Sequence, residues 1–397
     1  MEVKISKGKA QGKVEAPPSK SVAHRYIISA FLSGGDYTIS NIELSADIKA
    51  TLGAIEALGC GYTVANTSVK IHKLNLKNLA EIDCNESGST LRFMLPIAIS
   101  LIDKVKLYGA NKLFERPLNI YENILSAQGI EFKKAENSIE LYGKLKPQDF
   151  VVEGTVSSQF ISGLIFALAI LKGGSVTVKE PFESKPYVDL TVDALKQFGI
   201  NIKNVGNTYT LAEISNENCK KLKVEGDYSN AANLEAFSVV GGNVDVVGLN
   251  PNSLQGDKVY KEYFELLKSD TPTLDISQCP DLGPILIAVA ALNHGAKLIG
   301  TKRLKIKESD RGNAMKAELK KCDINLQVLE NEIIVPSGIV GNDFKFCSHN
   351  DHRIVMALSV VLSMYGGKIY GAEAVNKSFP SYFEVIKKLG LEVECRE

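Results

Sequence analysis

No two of the seven cysteines, at 60, 84, 219, 279, 322, 347 and 395, stand in a C-x-x-C spacing, and their odd number leaves no closed set of pairs. That excludes a zinc ribbon and a disulfide-stapled scaffold, and predicts reduced thiols in a cytoplasm with no metal site. An excess of one charge is lacking too, since Lys plus Arg total 46 and Asp plus Glu total 46. A general nucleic-acid binder needs a basic excess, so any anion site here must come from local clustering of cations. Apolar runs such as Ile161 to Leu171 stay below the ~18 residues of a membrane span, and the opening Met1-Glu2-Val3-Lys4-Ile5 is not an apolar h-region. The expectation is a chain with neither membrane span nor export signal. What is present is 397 residues with 45% hydrophobic content, enough for two or three domains with large cores.

The chain repeats itself. A helical pattern ending in Leu or Phe, in one copy Gln, then Gly, then alternating residues, stands at Leu58-Gly59-Cys60, Gln128-Gly129-Ile130, Phe198-Gly199-Ile200 and Leu389-Gly390-Leu391. The first three glycines are seventy residues apart, and a further seventy lands on Ser269. A sixth copy is Lys321-Cys322-Asp323, where Asp, which tolerates the left-handed conformation, replaces glycine. Six units are implied, each reading β-α-β-α-β-β.

Each unit carries a second helix, polar at its start and apolar through its body: Ser21 to Ser33, Ser89 to Ile102, Ser157 to Leu171, Ser229 to Val240, Pro280 to Leu292 and Asp351 to Tyr365. Helices apolar nearly all round belong inside a domain, with the amphipathic helices and short strands outside them. Their starts hold the chemistry. They read Ser19-Lys20-Ser21 with Arg25, Asn85-Glu86-Ser87-Gly88-Ser89-Thr90 with Arg92, Ser157-Ser158-Gln159, Asp227-Tyr228-Ser229-Asn230, Cys279-Pro280-Asp281 and Asn350-Asp351-His352-Arg353. At a helix start, free N–H groups and the positive dipole end favour an anion, each terminus by roughly 0.3–1 kcal/mol. A routine cap explains any one of them, with Ser19 or Ser21 capping the first. Six such starts, with Arg116, Lys305, Lys307, Arg311 and Lys377 in the connecting segments, point together to an electropositive site.

Ser19-Lys20-Ser21 with Arg25, Glu115-Arg116-Pro117, Ser157-Ser158-Gln159, Ser184-Lys185-Pro186-Tyr187, Val224-Glu225-Gly226-Asp227, Pro280-Asp281, Lys307-Glu308-Ser309-Asp310-Arg311, Asn350-Asp351-His352-Arg353 and Lys377-Ser378-Phe379-Pro380 occur in that order. This series resembles the signature of the 5-enolpyruvylshikimate-3-phosphate synthases, from about Lys13 to Phe383. The resemblance implies an α/β fold of two similar domains, each an inverted (inside-out) α/β barrel of three β-α-β-α-β-β repeats. Residues 1–19 with 226–397 would form a discontinuous first domain and residues 20–225 the second, with the active site in the cleft between them.

The implied reaction moves the enolpyruvyl group of phosphoenolpyruvate to the 5-hydroxyl of shikimate 3-phosphate and releases phosphate, through a tetrahedral intermediate. The resemblance assigns Lys20, Ser21, Arg25, Ser157, Ser158, Gln159, Ser184, Asp281 and Lys307 to shikimate 3-phosphate, and Lys20, Gly88, Arg116, Gln159, Arg311, Arg353 and Lys377 to phosphoenolpyruvate. Both substrates carry a carboxylate and a phosphate, and arginine suits the fixed bidentate hold on either. Asp281 is expected at the hydroxyl and Glu308 at the methylene carbon, with Lys20 and Lys377 stabilising phosphate charge. No cofactor, metal, nucleic acid or membrane partner is implied, and a cytoplasmic monomer is expected.

Plainer roles stand beside these. Asp281 suits a simple dipole partner, Glu308 an i,i+3 pair with Arg311, His352 a hydrogen bond to a neighbour, and Tyr187 a packed ring. Two positions depart from the family pattern: Glu86, where Asn is usual, and Arg303, where Asn is frequent. The competing activity is the enolpyruvyl transferase acting on UDP-N-acetylglucosamine, which carries a reactive cysteine in the loop that here reads Tyr108-Gly109-Ala110-Asn111-Lys112-Leu113-Phe114-Glu115-Arg116-Pro117, without a thiol. A catalytically silent anion-binding homologue would lose its acid/base residues, whereas Asp281, Glu308 and Lys377 are all present. A cyclase acting on RNA ends would want a nucleotide site and a basic track, and neither is found.

Overall fold

The computed structural model describes residues 1–215 and 220–396, so Cys219 lies outside the described residues. The other six cysteines are free thiols, four of them buried and Cys347 and Cys395 exposed. The chain divides into two compact units, Met1–Pro17 with Gly226–Glu397, and Pro18–Glu225. Each has its own apolar core. Among the described residues no helix is long and apolar enough to cross a membrane.

Within Pro18–Glu225 the three buried helices are Lys20–Leu32, Gly88–Leu101 and Ser158–Leu171. Ser19, Ser87 and Ser157 cap them, each hydroxyl accepting a backbone N–H of the first turn. The last two helices cross closely at Gly163, where a Cβ would stand 2.4 Å from Arg92 O and 2.2 Å from the Tyr121 hydroxyl. Pro96 interrupts the ladder of Gly88–Leu101, and the Tyr121 hydroxyl donates to Arg92 O at 2.6 Å, satisfying the carbonyl four residues before the proline.

The strands lie outside these helices with one face in. Ala80–Asp83 and Asp149–Glu153 both alternate buried and exposed residues. Ala80–Asp83 pairs parallel with Lys104–Tyr108 across the Gly88–Leu101 helix, and the sheet is completed by the antiparallel strands Ser138–Tyr142 and Glu131–Lys134. Asp149–Glu153, Ser175–Lys179, Thr208–Ile214 and Ile200–Val205 repeat that order. The remaining sheet is closed from a distance: Lys221–Lys223 pairs parallel with Tyr37–Ser40, so the first repeat takes its opening strand from the end of the unit.

The other unit encloses Tyr228–Val239, Gly283–Leu292 and His352–Tyr365. A single helix over Pro280–Leu292 is replaced by a 3-10 turn, Pro280–Leu282, leading into Gly283–Leu292, because Pro280 and Pro284 both lack the N–H that a continuous ladder needs. Glu2–Ile5 inserts antiparallel between Gly367–Tyr370 and Val393–Arg396, closing the last repeat with the first strand of the chain. The fourth repeat departs from the expected pattern. Gln11–Glu15 and Asn243–Val247 form a two-stranded parallel sheet, and the hairpin expected after Ser269 is absent among the described residues. Only Asp270, Thr271 and Pro272 separate the Tyr260–Ser269 helix from Thr273–Asp275, which opens the next sheet, leaving no length for two strands. The Leu-Gly turns behave as their residues demand: Gly59, Gly129, Gly199 and Gly390 have positive φ, and Asp323 takes the left-handed conformation at φ 61°.

Candidate active site

In Pro18–Glu225, Lys20 is the first residue of its helix, and its Nζ stands 2.7 Å from Asp47 Oδ2. Asp47 comes from the first turn of the neighbouring Ala46–Ala57 helix. Arg25 is 3% exposed and turned inward. Its guanidinium donates to Ser21 O, to Tyr187 O and to Thr191 Oγ1, at 2.7, 2.8 and 2.8 Å, and lies 5.3 Å from the centre of the Phe93 ring. Burial lowers its pKa to about 10, which leaves it charged at neutral pH. Arg25 thereby ties Ser21 to the Lys185–Gln197 helix, whose preceding residue Ser184 is buried in a left-handed conformation at φ 53°. The local reason for that helix start is Pro186 in its first turn.

A second group forms where Gly88–Leu101 begins. Arg92 donates to Gln159 Oε1 at 2.7 Å, and Gln159 Nε2 donates to Ser89 Oγ at 3.0 Å, so two helix starts are clasped side chain to side chain. A Cβ on Gly88 would stand 2.7 Å from a terminal guanidinium nitrogen of Arg116 and 3.1 Å from one of Arg92. Gly88, Arg92, Arg116 and Gln159 are therefore one cluster. Ser157 caps the Gln159 helix and Ser158 beside it is 4% exposed.

The other unit gathers its residues on one carboxylate. Asp281 receives Lys307 Nζ at 3.0 Å, Arg311 at 2.9 Å and Arg353 at 3.2 Å. Arg311, 1% exposed, also holds Glu308 at 2.6 Å and Asp351 at 2.8 Å. Burial alone would raise the Asp281 carboxyl, but the three cations outweigh it and hold the group well below the usual carboxylate range. Burial lowers Lys307, and Arg311 and Arg303 push it the same way against the attraction of Asp281. Arg353 adds a 2.9 Å bond to Ser229 Oγ, and Lys377 Nζ donates to Asn350 O at 2.7 Å. His352 is buried, with Nδ1 3.9 Å from Asp351 Oδ1, beyond hydrogen-bond reach. Arg303 is buried and Glu86 half-buried.

A carboxyl whose pKa is lower folded than unfolded contributes stability above the unfolded value and loses it as pH falls toward the folded one. For Asp281 that contribution is expected in full above pH ~5 and to fade through pH ~4 and below. Melting curves of wild type and Asp281→Asn should therefore converge between neutral pH and about pH 3. A gap that stays constant over that range would contradict this.

A family model described as EPSP synthase (3-phosphoshikimate 1-carboxyvinyltransferase) matches residues 5–386. The chain belongs to the EPSP synthase family. A 3-phosphoshikimate 1-carboxyvinyltransferase of Clostridium novyi (strain NT) is 39% identical, covering 98% of this chain and 97% of that protein. One of Clostridium acetobutylicum is 40% identical, covering 98% of both. Among solved structures, an EPSP synthase from Acinetobacter baumannii aligns with a TM-score of 0.77 at 23% identity over 99% of this chain and all of that one. The enolpyruvyl transferase NikO from Streptomyces tendae aligns at 0.76 with 12% identity over 99% and 98%. These two show the fold.

Against the family's signature, the structure brings Gly88, Arg116 and Gln159 together in one unit. In the other it joins Asp281, Lys307, Glu308, Arg311 and Arg353 in a single ionic network. Ser21 enters through its carbonyl, on Arg25. Asp47, Thr191, Ser229 and Asp351 hold these groups in place and carry no clear sign of it in the sequence. A lone acid or hydroxyl in a first helical turn reads as a cap. The available signal is the string Asn350-Asp351-His352-Arg353, in which Asp351 caps the helix and also anchors Arg311.

Proposed function

We propose that this chain transfers the enolpyruvyl group of phosphoenolpyruvate to the 5-hydroxyl of shikimate 3-phosphate, releasing phosphate, as a step of the shikimate pathway to aromatic amino acids. The observation that carries this reading is the family match over residues 5–386, supported by near-full-length relatives of the same printed activity. Both units contribute. Lys20, Ser21, Arg25, Ser157, Ser158, Gln159, Ser184, Asp281 and Lys307 hold shikimate 3-phosphate, and Lys20, Gly88, Arg116, Gln159, Arg311, Arg353 and Lys377 hold phosphoenolpyruvate.

In the addition step the 5-hydroxyl oxygen bonds to the enol carbon while the methylene carbon takes a proton from Glu308. Asp281 accepts the hydroxyl proton. With three cations on it, Asp281 is a weak base in the free protein, so the proton leaves late, as the C–O bond forms. Substrate phosphates and carboxylates take a share of those cations, which raises the basicity of Asp281 once the site is filled. In the elimination step the methyl group returns its proton to Glu308 and the C–O bond to phosphate breaks, with Lys20 and Lys377 stabilising the departing charge. The protein works in the cytoplasm, as a monomer, without a cofactor.

Phosphate release from phosphoenolpyruvate with shikimate 3-phosphate, run beside UDP-N-acetylglucosamine as acceptor, tests the reading. Release with the first acceptor alone supports it, and release with the second alone overturns it. Glu86, two residues before Gly88, adds a negative charge beside the proposed phosphoenolpyruvate site. Glu86→Asn is expected to lower the KM for phosphoenolpyruvate about threefold, the size of a screened unit charge at short range. Steady-state kinetics check this, and an unchanged KM removes the penalty assigned to Glu86.

A further inference from the structure

His24 lies four residues after Lys20 and one before Arg25, yet its ring is turned into the protein and is 1% exposed. Its Nδ1 is 2.7 Å from Thr51 Oγ1, Thr51 Oγ1 is 2.7 Å from Thr90 Oγ1, and Thr90 Oγ1 donates to Ser87 Oγ at 2.8 Å. Thr51, Thr90 and Ser87 have no exposed surface. Four buried polar side chains from three helix systems thus form one unbroken chain. It starts on the helix of Lys20, passes through the helix of Asp47, and ends on the cap of the helix that begins with Gly88.

The direction of the chain follows from counting protons. A threonine hydroxyl has one proton to donate. Thr90 gives its proton to Ser87, so Thr51 must donate to Thr90, and Thr51 must then accept from the imidazole. His24 is therefore the Nδ1–H tautomer, and its Nε2 finds no partner among the described residues. Burial disfavours the imidazolium, and the neighbouring Lys20 and Arg25 add to this, so the ring stays neutral through the physiological range.

We infer that His24 is a positioning residue for phosphoenolpyruvate binding: through Thr51 and Thr90 its Nδ1–H fixes the Ser87 cap, and with it Gly88 and the Arg116 beside it, relative to Lys20. This rests on the function proposed above. One-way hydrogen-bond chains between buried groups hold geometry tightly, because each broken link leaves a buried acceptor unpaired.

The test compares His24→Leu, which removes the donor, with His24→Asn, whose amide N–H reaches the place of Nδ1–H. His24→Leu should raise the KM for phosphoenolpyruvate about tenfold, a larger rise than for shikimate 3-phosphate, while His24→Asn restores it to near wild type. Thr51→Val should match His24→Leu, and the double variant should be no worse than either alone, as expected for one shared network. An unchanged KM in His24→Leu of an active enzyme, equal losses in the Leu and Asn variants, or additive losses in the double variant would overturn the inference. Nitrogen-15 spectra of the histidine rings decide the proton arrangement independently of turnover, with the His24 signals assigned by their loss in His24→Asn. A neutral Nδ1–H ring supports the chain as drawn and an Nε2–H ring overturns it, even if phosphate-release assays were to reject the proposed function.

Discussion

Replacing Asp281 by Asn is expected to lower kcat about a thousandfold, the middle of the range for loss of a positioned proton acceptor, while leaving substrate KM values unchanged or lower. The split follows from the charges around the group. Asp281 neutralises part of Lys307, Arg311 and Arg353, the cations proposed to meet phosphate and carboxylate, so removing its charge makes the unit more attractive to anions. The fold is expected to survive, because Arg311 keeps Asp351 at 2.8 Å and Glu308 at 2.6 Å, and Arg353 keeps Ser229 at 2.9 Å. Asn is the better substitution than Ala, since it fills the same volume and its amide oxygen still accepts from Lys307 and Arg311, the two donors that share Oδ1, while Arg353 keeps its bond to Ser229. Steady-state kinetics on both substrates, with calorimetric titration of shikimate 3-phosphate and a melting curve, separate the possibilities. Retention of near-full turnover, or a loss carried entirely by KM, would remove Asp281 from proton transfer and leave it as an ionic organiser of the site.

The elements that were legible in the sequence are those whose information is local. Buried helices such as Ser158–Leu171 show an apolar body after a polar start, and the Leu-Gly turns mark where amphipathic helices stop, because only glycine or a tolerant Asp323 takes a positive φ without cost. The strands that close the repeats were not legible. Lys221–Lys223 pairs with Tyr37–Ser40, and Glu2–Ile5 lies between strands more than three hundred and sixty residues away, so no local pattern announces their partners. The missing hairpin after Ser269 was hidden for the opposite reason. The seventy-residue period continues through that position, while the three residues actually available before Thr273 cannot make two strands.

The site divides in the same way. Cations and helix starts can be read in order along the chain, and the family signature supplies their grouping. Which acid neutralises which cation is a three-dimensional matter. Asp47 on Lys20 and Asp351 on Arg311 are separated from their partners by twenty-seven and forty residues, and each has an ordinary local explanation in the first turn or cap of a helix. The inward turn of Arg25 is equally silent in sequence, since it depends on Tyr187 O and Thr191 Oγ1 from the Lys185–Gln197 helix.

Gly88→Ala is expected to raise the KM for phosphoenolpyruvate about tenfold or more, with a much smaller rise for shikimate 3-phosphate. A methyl group there would stand 2.7 Å from one terminal nitrogen of Arg116, closer than non-bonded atoms approach, and 3.1 Å from one of Arg92, a tight contact. Both neighbours are the far ends of flexible side chains, so the helix start holds and the guanidinium groups move. Gly88 has no positive φ, and alanine is the better helix former by roughly 1 kcal/mol in a helix interior, so the backbone offers no reason for the protein to lose stability. The displaced Arg92 would draw Gln159 with it, since Arg92 donates to Gln159 Oε1, and Gln159 is proposed to touch both substrates. A modest rise for shikimate 3-phosphate through Gln159, well below that for phosphoenolpyruvate, is therefore part of the expectation. Equal rises for the two substrates would place Gly88 at the shared contact of Gln159 instead of at Arg116. An unchanged KM for phosphoenolpyruvate in a variant with wild-type melting behaviour would show that Arg116 has room to move without leaving its ligand, and would withdraw Gly88 from the binding site.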